Sequence, residues 1–316
     1  LRKGIIFFVC LLFLFSCEKI PRTAESLYQE GMKAAKEGDW GKSTEMLEKA
    51  LEGELPPSKQ ELAKITLANS YFNDQDFENA ALNYEEFLDL YPASSRAKDA
   101  LFRLGVSYLN LVKGPQWDQT FTKKAIRAFE KFIKEFPNDP RVEKAKIYKN
   151  IARKILAENE VYIGGTYDML HKFTASINRY KIVKEKYKDV EPLDRIDYLI
   201  GRAYFFTDIQ AKEEIDRLKR QLDKEKEKLN SSDPEAKKVA ENRIRLVKKD
   251  IEKWQKIAKE NREIGKKILT EVAAKYPNST YGIKAKRILE GEKILNVEPV
   301  INPLKRSIWW KIKETL

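Results

Sequence analysis

A single histidine, His171, and two cysteines, Cys10 and Cys17, are all that this 316-residue chain offers for thiol or imidazole chemistry. That scarcity excludes ordinary zinc sites, Ser/His/Asp triads and Cys/His pairs. No glycine-rich phosphate loop and no cluster with metal-ligand spacing can be found. Carboxylates are plentiful, but none forms a paired-acid site distinguishable from solvated helix faces. The expectation is a protein that is not an enzyme and uses no metal and no cofactor; His171, beside a turn, is read as structural or exposed.

What the chain has in quantity is charge. Charged residues make up 35% of it, and Lys plus Arg outnumber Asp plus Glu by 61 to 49, for a net charge of +12. A basic balance suggests an acidic partner or an anionic membrane surface. The lysines are scattered through amphipathic stretches and the aromatics recur at fixed positions, which argues against a nucleic-acid groove.

Those fixed positions form a repeat. In Glu61 to Pro92 a small residue, Ala68, is followed by Tyr71, a turn aromatic Phe77, a second small residue Ala80, Tyr84 and the terminator Pro92. The first marker recurs as Gly31, Ala68, Gly105, Gly164 and Gly201, with spacings of 37, 37, 59 and 37 residues. Small residues let two helix backbones approach, aromatics fill the seam to the next hairpin, and proline ends the second helix. The pattern predicts an all-α tetratricopeptide-repeat solenoid of five helix hairpins over residues 24–295.

Departures from the period are themselves informative. Eight extra residues around Lys113 to Thr120, punctuated by Gly114-Pro115, predict a loop inside the third hairpin. Fourteen extra residues between Pro137 and Gly164 contain no helix breaker from Arg141 to Ile163 and predict one long helix. The fifth hairpin has its first helix around Gly201 and its second around Leu269 to Pro277. The insert between them, about 209–262, carries three-four apolar spacing (Ala211, Ile215, Leu218, Leu222, Leu229; then Ala240, Ile244, Val247, Ile251, Trp254, Ala258) broken by Asp233-Pro234. It is expected to be an antiparallel coiled-coil hairpin roughly 30 Å long, either a solvated spacer or a partner-binding arm. Tyr281 to Leu295 is expected to form a capping helix.

The two ends differ from the repeats. Arg2 and Lys3 precede an apolar run, Ile5 to Phe15, too short for a comfortable membrane span and suited to a secretory signal. Leu14-Phe15-Ser16-Cys17 resembles the bacterial lipobox, which implies that residues 1–16 are a lipoprotein signal peptide and that Cys17 is lipidated, with 17–23 as tether. An ordinary signal with an incidental cysteine is the competing reading. Glu18 permits delivery to the outer membrane. At the other end, 296–316 reads as a linker and an amphipathic basic helix. Trp309 and Trp310 are placed on a membrane or partner surface, with packing on the last repeat as the alternative.

For a peptide groove, repeat geometry places first-helix positions one and five residues after the small marker on the concave side. This nominates Asn69, Asn73 and Asn110, with Phe72 and Phe102 as neighbouring apolar pockets. Asparagine both donates to and accepts from an extended backbone; solvated amides over ordinary packing aromatics are the alternative.

The segments TKKAIRAFEKFIKEFPND, ARKILAENEVYIGGTY and FTASINRYKIVKEKYKD, in this order and with these insertions, resemble the BamD family, outer-membrane lipoproteins of the β-barrel assembly machinery. The resemblance implies a periplasm-facing, lipid-anchored outer-membrane scaffold. Its partners would be the POTRA domains of a BamA-like barrel protein, unfolded outer-membrane proteins and other assembly lipoproteins. It also implies partner binding by Arg179, Asn178 and Tyr180, within Ile177-Asn178-Arg179-Tyr180, although a local ion pair on the helix surface would equally account for Arg179. The coiled-coil insert, the basic tail and Lys188 in place of the fourth repeat's proline depart from the family pattern. A lipoprotein adaptor for peptidoglycan-associated or cell-division proteins is the alternative function.

Overall fold

The computed structural model describes residues 23–296 together with Ile301 and Pro303. The expected signal peptide, the lipidation site Cys17, and Trp309 and Trp310 of the expected terminal helix lie outside these residues. Among the described residues every regular element is helical and none is a strand. The all-α, hairpin-repeat reading therefore holds. No helix among them is long and apolar enough to cross a membrane.

Two compact units divide at Arg103/Leu104, within helix α5 (Ala97–Asn110). In the first unit, α1 (Ala24–Glu37), α2 (Trp40–Leu51), α3 (Pro57–Asn73) and α4 (Phe77–Leu90) pack in succession. The turns follow the sequence signals. Gly38 adopts a left-handed conformation (φ 80°), and Asp39 caps α2 by accepting from the Lys42 amide. Asp76 caps α4 in the same way. A methyl group on Gly31 would stand 2.7 Å from Leu47, so the small marker is what lets α1 and α2 approach. Leu47, Ala50, Ala63 and Leu67 form the core there, each large aliphatic contributing about 1.5–3 kcal/mol by leaving water. Ser43 and Ser70 share a buried hydroxyl hydrogen bond of 2.8 Å between α2 and α3.

The second unit holds α6 (Thr120–Glu135), α7 (Val142–Met169), α8 (Phe173–Lys186), α9 (Leu193–Phe205), α10 (Thr207–Glu227), α11 (Pro234–Lys275) and α12 (Thr280–Leu289). The long helix expected from Arg141 onward is α7, 28 residues in length. Gly164 lies against the Tyr180 ring of α8, and Gly201 of α9 against Ile268 and Leu269 of α11. Gly265, which the repeat pattern did not mark, lets α11 touch the α9 backbone at Phe205.

The arm is built differently from the expectation in one respect. The insert's second helix and the second helix of the last hairpin are a single 42-residue helix, α11. No proline lies between Ala258 and Leu269, and the helix runs on through Gly265. Asp233 caps α11 with Pro234 at its first position, as the sequence indicated. Ala211 and Leu218 of α10 and Ala240 and Val247 of α11 are buried, and the other apolar positions of the pattern are half-buried. The capping helix is shorter than expected. It ends at Leu289 because Gly291 (φ 104°) turns the chain, with the Gly291 and Glu292 amides donating to the carbonyls of Ile288 and Arg287.

Candidate functional site

The nominated partner residues sit on α8, whose Phe173, Ile177, Tyr180 and Val183 form its buried stripe. Tyr180 is therefore inside the fold, 1% exposed. Its hydroxyl donates to Asp168 Oδ2 at 2.7 Å. Burial, together with the neighbouring Asp168 charge, pushes its phenol well above the usual tyrosine value. Asn178 is exposed and Arg179 half-exposed. Arg179 Nη1 donates to Glu160 Oε2 of α7 at 3.2 Å, and its side chain stays 37% exposed. A guanidinium held from one edge has further donors for a second carboxylate. Beside it, Lys181 Nζ donates to the Tyr204 hydroxyl at 2.7 Å and Arg153 is paired with Asp189. The surface of α8 is thus basic around a carboxylate-held arginine, and Tyr180 supports it from within.

Beneath that surface lies a set of charges that sequence reading missed. Arg195 and Arg202, seven residues apart on α9, are 1% and 2% exposed. Arg195 donates to both oxygens of Glu158 (2.5 and 3.1 Å) and to Glu191 Oε2 at 3.3 Å. Arg202 pairs with Asp168. Burial alone would lower the pKa of each arginine, but the Glu158 hydrogen bond and charge carry Arg195 above its usual value, and Asp168 does the same for Arg202. Burial, reinforced by the charge of Glu158, pushes Glu191 up to about 7 against the pull of Arg195 and Lys154. In a helix-rich sequence with 35% charge these residues look like any solvated face. The available signal was register: Arg202 stands one residue after the small marker Gly201, the position used to nominate Asn69.

The groove candidates fall in two groups. Phe72 and Phe102 are each 4% exposed. Phe72 packs edge-on to Phe77 and Tyr84, with the Arg103 guanidinium 5.0 Å from its centroid. Asn69 Oδ1 accepts from the Tyr84 hydroxyl at 2.7 Å, while Asn73 is exposed. All four belong to the first unit. Asn110 lies in the second unit, where its amide donates to the Val106 carbonyl at 2.8 Å. Asn73 therefore has the most open side chain of the group.

Two further features of the second unit were only partly legible. The loop 111–119 is pinned by Gln119, whose amide donates to the carbonyls of Gly114 and Trp117, and by Asn159 of α7, which donates to Pro115. It presents Trp117 at 61% exposure with Lys113 over its ring. His171, in a left-handed conformation (φ 53°), bonds Glu213 of α10 through Nδ1 at 2.7 Å and stacks on Phe173.

A family model described as "YfiO: Outer membrane lipoprotein" matches residues 21–218, more than half of the chain. The chain belongs to the YfiO family. That match takes in the helices up to α9 and most of α10, and leaves α11 and α12 outside. A putative outer membrane protein assembly factor BamD of Aquifex aeolicus (strain VF5) is 29% identical over 262 residues, covering 82% of this chain and 85% of that relative. The outer membrane protein assembly factor BamD of Caulobacter vibrioides is 22% identical over 184 residues, covering 58% of this chain and 60% of the relative. That of Rickettsia prowazekii is 26% identical over 175 residues, covering 54% and 70%. The resemblance to BamD read from the α6, α7 and α8 segments is thus the relationship these comparisons show.

Proposed function

We propose that this YfiO-family chain is a non-enzymatic scaffold for outer-membrane protein assembly, anchored by a lipid on Cys17 at the periplasmic face of the outer membrane. The observation that carries this reading is the similarity, along 82% of the chain, to a relative named as an assembly factor. The α8 surface is the partner site: Arg179 pairs with a carboxylate on the POTRA domains of a BamA-like barrel protein, Asn178 adds a hydrogen bond, and Tyr180 fixes the helix from below. The exposed Asn73 and half-exposed Asn69 of the first unit receive unfolded outer-membrane proteins. Other assembly lipoproteins are further partners.

Affinity purification of the tagged, lipidated protein from native envelopes, with mass spectrometry, tests this. Recovery of a POTRA-containing barrel protein is expected, with metabolic incorporation of labelled palmitate lost in Cys17→Ser. Its consistent absence, with peptidoglycan-associated proteins recovered instead, would replace this reading with an envelope adaptor.

A further inference from the structure

Helix α11 carries two apolar lines, and the fold buries only one of them. Ala240, Val247 and Gly265 are buried and Ala258 half-buried, in a helix whose neighbours include α10 and α9. The residue before each of these is a large aliphatic: Val239, Leu246, Ile257 and Ile264. One residue is about 100° of helix rotation, so this second line runs parallel to the first, slightly more than a quarter-turn away. Val239, Leu246 and Ile264 are 46%, 57% and 43% exposed, and Ile257 is half-buried. Among the described residues α10 has no exposed large hydrophobic, so within the arm the open line belongs to α11 alone. The border of that line carries one sign of charge. On the side away from the buried line it is flanked by Lys238, Asn242, Lys249, Lys253 and Lys256, four cations and no carboxylate. Lys256 reaches Glu260 at 3.7 Å, while Lys238, Lys249 and Lys253 have no carboxylate partner among the described residues.

We infer that the open line of α11 is the docking face for an acidic amphipathic helix of another protein, laid along the arm as a further helix of its coiled coil. The spacings along the line are seven, eleven and seven residues, which keep it straight on the helix surface. Such a narrow line of valine, leucine and isoleucine suits a helix seam, whereas a helix lying in a bilayer presents a broad face rich in bulky and aromatic residues. From Val239 to Ile264 is about 38 Å of helix, room for a partner helix of similar length. The lysine border then selects the partner: carboxylates flanking its apolar seam meet unpaired cations. A second copy of the arm would bring the same lysines against one another, and like charges disfavour that pairing. The face stands on a different helix from Arg179 and beyond residue 218, where the match to the family model ends.

Photo-crosslinking on the full-length chain in its native envelope tests this. A benzoylphenylalanine probe at position 246 is expected to crosslink a different polypeptide, within a segment of heptad apolar spacing and net negative charge. The same probe at Arg220, exposed on α10, is expected to give none of that product. With the probe moved to position 264, Leu246→Asp is expected to cut the yield at least about tenfold, as loss of a central apolar anchor does. Lys249→Glu with Lys253→Glu is expected to cut it at least about threefold. Because these side chains are exposed, each variant is expected to keep the helical dichroism and thermal unfolding of wild type. A crosslink from position 246 to a second copy of this chain, to lipid or to a segment of net positive charge would overturn the inference, as would no crosslink at all. Unchanged yield in either variant would also overturn it. So would loss of helical dichroism in Leu246→Asp, by making the open line part of the arm's own packing.

Discussion

Tyr84 and Tyr180 stand at the same place in their hairpins, sixteen residues after the small markers Ala68 and Gly164. In the first unit the Tyr84 hydroxyl donates to the amide oxygen of Asn69, with the Arg103 guanidinium beside it. In the second, Tyr180 meets the carboxylate of Asp168, and that carboxylate is tolerated only because Arg202 pairs with it. One hairpin geometry thus supports a seam closed on an amide and one closed on a buried carboxylate. A neutral hydrogen bond is worth about 1 kcal/mol, whereas a buried charge left alone costs several. The first seam can lose a member with modest loss; the second must keep all of its members.

The sharpest way to break this comparison is Arg202→Met, which leaves Asp168 buried and unpaired. It should destabilise the second unit by about 3–5 kcal/mol in urea unfolding, and adding Asp168→Leu should restore most of the loss. Gly164→Ala places a methyl 2.5 Å from the Tyr180 ring and should cost about 1–3 kcal/mol by the same assay, since the ring is enclosed and has little room to move.

A pH series sharpens the contrast further. The Glu191 carboxyl, facing Glu158, Arg195 and Lys154, is raised from 4.5 to about 7 in the folded chain. Because the unfolded chain ionises first, the stability this group contributes is fully present below about pH 4.5 and is lost as pH rises to about 7. Thermal unfolding of wild type should fall over that window relative to Glu191→Gln; identical profiles would contradict the raised value. The smallest effect belongs to the amide-closed seam: Asn69→Ala should cost about 1 kcal/mol.

The sequence made the seams legible and concealed what fills them. Gly31, Gly164 and Gly201 announced helix crossings because a close approach admits almost nothing else. Gly38-Asp39 and Asp233-Pro234 announced helix starts through caps that act within a few residues. Arg195 and Arg202 announced little, because the carboxylates that hold them most closely, Glu158 and Asp168, lie 37 and 34 residues away in the chain and an arginine on a helix looks solvated until its neighbours are placed. The same holds for α8. Its basic face could be read from the chain, but the burial of Tyr180 and the hold of Glu160 on Arg179 depend on how α7 passes beside it. The continuity of α11 was hidden for another reason: a period count marks where a repeat resumes and cannot see that the helix never stopped.

The most direct test of the scaffold account is calorimetric binding of the purified protein to the periplasmic domains of the barrel protein recovered with it, comparing wild type with Arg179→Ala at matched stability. Arg179 is part-exposed and paired at one edge, so its loss should change folding stability by no more than about 1 kcal/mol. Its removal should nonetheless weaken binding by at least about tenfold, the loss expected of an interfacial arginine–carboxylate pair. Equal affinity of the two proteins would contradict the placement of the partner site on α8, and no binding by wild type would contradict the scaffold reading itself.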